Sequence, residues 1–312
     1  MTDGKKIFSK LPIMILGAMI CCLLWGSAFP CIKVGYKLFS INPWETSSQI
    51  LFAGIRFTIA GSMVILFSSI MNKRFIKPAH PKKILTLSAY QTVIQYLFFY
   101  IGLAHTTGVK SSIITGAGTF ITLFVCCLGF KQEKLTIPKV IGSLIGFIGI
   151  LLVNINGLSQ NLNFNLLGEG FVFIAAFSSA MASAYIKKFS KDADVVMLSG
   201  YQFFFGGLSM TLIGSVLGGH ISITSFSGVA LLTYMGFISA AAYTLWGILL
   251  KYNDVSKVST CKFMNPVFGV ILSYFLLNEK GDVGARVVAA LVFVCIGIFI
   301  VNKKWNKKNN WK

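Results

Sequence analysis

Apolar residues fall into ten long stretches, mostly about 18–25 residues each, separated by short turns in which the charges collect. At 1.5 Å per residue, such a stretch forms a helix that crosses a hydrocarbon core about 30 Å thick. The pattern predicts spans over residues 12–36, 47–71, 84–104, 110–130, 137–155, 166–187, 196–219, 227–250, 258–277 and 283–302. Asn42-Pro43-Trp44-Glu45 predicts the start of the second helix, with Asn as N-cap, Pro at the first position and Glu at the third. Thr136 and Asp282 are expected to cap the fifth and tenth helices. The expected fold is an all-α integral membrane protein of ten transmembrane helices, with short tails at 1–11 and 303–312 and an external linker at 156–165.

Composition agrees with this pattern. Of 312 residues, 55% are hydrophobic and only 12% are charged, about half of what a soluble surface requires. The formal net charge is +19, from 28 Lys+Arg against 9 Asp+Glu. In a soluble chain that excess would suggest nucleic acid, but here the basic residues follow the loops. With both termini inside, 21 of them fall on the inner side, five on the outer side and two, Arg56 and Lys262, within spans. Basic residues accumulate in cytoplasmic loops, so both ends are expected in the cytoplasm, with the chain multi-pass in the plasma membrane. The basic start with an apolar run reads as an uncleaved first span, because no small-x-small cleavage site closes a short apolar core. Seven cysteines lie within or at the edges of apolar runs without a CxxC pair. They read as small buried hydrophobes, not as disulfides or metal ligands.

The two halves echo one another. Val109 to Asn154 ends its first span with Glu133-Lys134 and its second with Ile148-Gly149-Ile150. Val255 to Asn302 repeats this with Glu279-Lys280 and Ile296-Gly297-Ile298. Arg56-Phe57 with Gly61 matches Gln202-Phe203 with Gly207. Five spans per half force the halves to enter the membrane from opposite sides, and inverted repeats place a binding site near the midplane between them.

The chain resembles the drug/metabolite transporter superfamily, specifically its EamA type with two five-helix repeats. The resemblance is carried by Leu24-Trp25-Gly26-Ser27-Ala28-Phe29, Gly54-Ile55-Arg56-Phe57, and Asn265-Pro266-Val267-Phe268 leading to Leu276-Leu277-Asn278-Glu279. It implies two inverted repeats over 12–155 and 166–302 and a secondary carrier of a small metabolite. Two departures stand out. Thr119-Phe120 occupies the place of Asn265-Pro266 in the first repeat, and Asn278 stands where the family commonly has Gly. The first implies unequal movement of the halves.

Candidate site residues follow from cost and placement. Arg56 lies well inside its span, where a charge is expensive and therefore faces protein or water. It either attracts an anionic group such as a carboxylate or ties to backbone carbonyls at a helix break. Lys262 precedes Pro266 by four residues, so Pro266 leaves a carbonyl without its usual donor beside a cation and Asn265. The alternative for Lys262 is snorkelling to the interface, as expected for Lys110. Trp25, Ser27 and Pro30 mark a kink in the first helix. Tyr96 and Tyr100 in the third span and Tyr243 and Trp246 in the eighth occupy related positions, as walls of a site or as packing. Gly142 with Gly146, and Ala285 with Ala289, are expected to let helices pack closely. No Asp or Glu sits near a span centre, and His80, His105 and His220 lie in loops, so a dedicated proton relay is not expected. No catalytic motif, metal cluster or cofactor fingerprint is present. The expected partners are the lipid bilayer and a small-molecule substrate, with no nucleic acid and a homodimer left open. The alternative from another class is a membrane-anchored enzyme or scaffold.

Overall fold

The computed structural model describes residues 7–42, 44–154, 164–222, 225–277 and 285–303, with side chains except those of 273, 274, 276, 277, 285 and 286. Pro43, the Asp282 cap, the Glu279-Lys280 pair, the Ala285 packing contact and most of the expected tails and linker lie outside these. The described residues are helical without strands. Eight helices are long and apolar enough to cross a membrane: α1 Leu11–Leu38, α2 Thr46–Met71, α3 Pro81–Ala104, α4 Gly108–Gly129, α5 Ile137–Asn154, α6 Leu166–Phe189, α7 Val195–Val216 and α8 Phe226–Tyr252. The ninth, α9, is built of Val255–Thr260, a 3-10 turn Cys261–Phe263 and Met264–Leu277; α10 is Ala285–Asn302.

Local chemistry explains where the boundaries fall. Asn42 does not cap α2: its side chain donates to the Glu45 carboxylate in a preceding turn, and the helix begins at Thr46. That bond holds the half-buried Glu45 carboxyl below its ordinary pKa. The carbonyl of Thr136 accepts from Lys139 and Val140 at the start of α5. The seventh span ends earlier than its hydropathy predicts because Gly218 takes φ +80°, the left-handed conformation that closes helices. Pro266 cannot donate to the carbonyl one turn earlier, and there α9 tightens into its 3-10 turn.

The packing obeys an internal two-fold. Helix α1 packs on α8 and α9 as α6 packs on α3 and α4, while α2 pairs with α7 and α5 with α10. Both self-pairings depend on glycine. A Cβ at Gly142 would lie 2.8 Å from the Gly297 carbonyl, and one at Gly297 would lie 2.5 Å from that of Gly142. The Gly297 Cβ would also lie 2.7 Å from the Gly146 nitrogen, and a Cβ at Gly146 would run into the Phe263 ring. The outer surface carries large exposed hydrophobics such as Phe67, Ile70, Phe237 and Phe299, suited to lipid. Five cysteines are buried, but Cys31 is half-buried and Cys295 exposed, correcting the expectation for these two.

The lysine-rich end is held together by buried polar contacts. At the end of α4, Glu133 pairs with Lys139 of α5 at 2.7 Å and accepts from the backbone N–H and hydroxyl of Ser256 at the start of α9. Lys187 of α6 donates to the carbonyls of Lys251 and Asn253 at the end of α8, satisfying groups that the helix end leaves free. Glu133→Gln is expected to cost about 2 kcal/mol, the worth of a hydrogen bond to a charged group, read as a lower melting temperature in detergent. The exposed Asp192 carboxyl, held below its ordinary pKa by Lys83, is a control: Asp192→Asn should leave the melting temperature unchanged.

Candidate functional site

A cavity of about 210 Å³ opens between the halves. Eight of the ten sequence candidates line it: Trp25 from α1, Arg56 from α2, Tyr96 and Tyr100 from α3, Tyr243 and Trp246 from α8, and Lys262 and Asn265 from α9. Ser27 and Pro266 do not. The Ser27 hydroxyl donates to the carbonyl of Leu24 within its own helix, and Pro266 acts on the backbone that carries Lys262.

Pairs of repeat-equivalent aromatics meet on the two-fold. Phe57 and Phe203 stack with centroids 5.4 Å apart, and the hydroxyls of Tyr96 and Tyr243 share a hydrogen bond. The Tyr243 ring lies 4.9 Å from Trp25, which lies 5.1 Å from Trp246. A cation stands at each end of this aromatic row: the Arg56 guanidinium is 4.4 Å from the Phe57 centroid, and the Lys262 ammonium is 5.4 Å from that of Trp246. Arg56 is only 4% exposed. Among the described residues, no carboxylate pairs with either cation. Lys110, expected to snorkel, instead pairs with Glu169 of α6 at 2.8 Å, away from the cavity lining.

Several cavity groups have no hydrogen-bond partner despite burial: Nε1 of Trp25 and Trp246, Nε of Arg56, Oε1 of Gln95 and Oδ1 of Asn265. A buried polar atom left unmatched costs free energy, and five of them around one cavity mark it as built to receive polar groups. Sequence inspection missed Gln91, Gln95, Thr115, Thr122, Ser179, Ser183 and Ser239, the other polar residues of the lining. The two glutamines four residues apart in an apolar span were the available signal, since an amide facing lipid is expensive.

Gln91 reaches the cavity from a widened turn, and Gln95 begins the α-helical stretch that follows it. Residues Ser88–Ile94 of α3 are π-helical, a form frequent at functional sites. Neighbouring helices hold the turn: Ser178 of α6 donates to the Tyr90 carbonyl at 2.6 Å, and Thr92 donates to Oε1 of Gln202 on α7 at 2.8 Å. The equivalent α8 is α-helical throughout, so the site is asymmetric within a symmetric frame.

Comparisons with known proteins agree with this architecture. The chain is 25% identical over 286 residues to an uncharacterized transporter of Archaeoglobus fulgidus, spanning 90% of this chain and 95% of that protein. It is 22% identical over 297 residues to the uncharacterized transporter YoaV of Bacillus subtilis, covering 92% and 96% of the two chains. A crystal structure superimposes with a TM-score of 0.76 at 15% identity, over 94% of this chain and 97% of the other, a likeness of fold. The EamA-like transporter family model matches twice, over residues 12–155 and 166–303. The chain is a membrane protein with two EamA repeats and belongs to the EamA-like transporter family.

Proposed function

We propose that this protein is an alternating-access carrier that exports a small carboxylate-bearing metabolite, an amino acid or related amphipathic solute, across the plasma membrane. The observation that carries the proposal is the cavity between the halves, where Arg56, Lys262 and five unpartnered polar atoms converge. Trp25, Tyr96, Tyr243 and Trp246 would clasp the apolar part of the solute, and the cations its carboxylate. Rocking of the two repeats about this site would expose it to each side in turn. In the proposed orientation both termini are cytoplasmic. The Glu133–Ser256 and Lys187–Asn253 contacts then close the inner end and must separate for loading from the cytoplasm. Export of a solute made inside the cell proceeds down its own gradient and needs no proton relay.

The test compares metabolites in the medium of cells expressing the wild type or Lys262→Gln at equal membrane abundance. A compound that accumulates outside only with the wild type supports the proposal. An unchanged medium with both proteins contradicts export. A smaller effect is expected at the aromatic contact on the two-fold. Tyr96→Phe removes one hydrogen bond, worth about 1 kcal/mol, and should slow export about fivefold, read in the same assay.

A further inference from the structure

The cavity carries two cations and, among the described residues, no carboxylate. Six of the nine acidic residues are described, and each is engaged elsewhere. Glu45 faces His220, Glu133 pairs with Lys139, Glu169 with Lys110, Asp192 with Lys83 and Asp254 with Lys257, while Asp194 accepts from the Val196 amide. None of the six lines the cavity. Of the cavity rings, Tyr96 and Trp246 already have Arg56 and Lys262 near their faces. A zwitterionic amino acid would therefore bring its carboxylate to favourable partners but its ammonium into repulsion from two cations, where low dielectric strengthens every charge term. The unpartnered donors point the same way: three N–H groups, on Trp25, Arg56 and Trp246, match the oxygens of an anion. The two amide oxygens, on Gln95 and Asn265, accept from a hydroxyl or an ammonium alike, so rejection of the ammonium rests on the two cations.

We propose that the cavity selects hydroxylated organic anions over amino acids of the same carbon skeleton. Resting on the carrier proposal above, this narrows its substrate class from carboxylate-bearing solutes to those of net negative charge. Discrimination arises as much from rejection of the ammonium as from attraction of the carboxylate.

Matched pairs that differ in a hydroxyl against an ammonium test this at pH 7: phenyllactate with phenylalanine, malate with aspartate, and lactate with alanine. Binding to the purified full chain in detergent is measured by calorimetry. The expected result is a Kd at least tenfold lower for the hydroxy acid in the pair that fits the cavity, with discrimination kept by Lys262→Arg and reduced below threefold by Lys262→Gln. Equal or tighter binding of the amino acids overturns the proposal, as does binding of no member of any pair. If the Lys262 variants fail to fold, the wild-type ratios alone decide. Flux of the same compounds in liposomes separates the two proposals. Selective binding of the hydroxy acids without flux contradicts the carrier and supports the selectivity, whereas preferred flux of an amino acid supports the carrier and contradicts the selectivity.

Discussion

Gly61→Val is expected to remove most folded protein from the membrane. A Cβ at Gly61 would stand 2.3 Å from the Phe204 amide nitrogen and 2.7 Å from the Gly200 carbonyl, and one at Gly207 would stand 2.4 Å from the Thr58 nitrogen. Gly54 and Gly214 make equally close approaches to the backbones at Thr211 and Leu51. These glycines let α2 and α7 cross in backbone contact, and that crossing positions Arg56, Phe57 and Phe203 at the cavity. Backbone cannot give way as the end of a flexible side chain can, so valine forces the helices apart. The expected cost lies at or above the upper end of ordinary overpacking, roughly 3 kcal/mol or more. Membrane abundance and melting temperature in detergent provide the readout. Gly108→Ala is the control, because a Cβ there meets nothing within 4 Å, and it should leave both unchanged. Wild-type abundance and stability for Gly61→Val would contradict the described crossing of α2 and α7.

Arg56→Gln is expected to do the opposite, leaving the fold and removing the function. The guanidinium lies in the interior with aromatic rings against it and no carboxylate partner among the described residues. Replacing it with a neutral amide strands no buried counter-charge, so the melting temperature should not fall. Transport should fall by about 10- to 150-fold, the equivalent of roughly 1.5–3 kcal/mol for a hydrogen bond to a charged group. An arginine that tied together a helix break would show the reverse, a lower melting temperature in proportion to any loss of transport. Measuring stability and flux on the same preparation distinguishes the two roles that sequence alone leaves open.

The spans were legible in the sequence because hydrocarbon thickness sets their length, and a helix of that length leaves a continuous apolar run. Most expected ends fall within three residues of the observed ones, as at α3 and α9. The repeat was legible because Phe57 with Phe203, and Gly61 with Gly207, keep their register: the two rings stack on the two-fold, and each glycine meets the backbone of the opposite helix. Rotation of each helix was not legible. Hydropathy carries little directional signal when both lipid and core are apolar, so Thr122, Ser183 and Ser239 gave no sign of lining a common cavity. The widened turn of α3 depends on Ser178 and Gln202, which are distant in sequence and adjacent only after packing. Asn42 misled as a cap because its side chain has a stronger partner in Glu45 than in the helix amides.

The central claim is movement of an unaltered solute through the cavity between the halves. Its most direct test is purified protein in liposomes preloaded with cell metabolite extract, with mass spectrometry of the external medium for the wild type and Arg56→Gln. The predicted result is at least one compound that leaves wild-type liposomes chemically unchanged and stays inside those bearing Arg56→Gln. Conversion of a compound without its release, or equal release from both preparations, would contradict it.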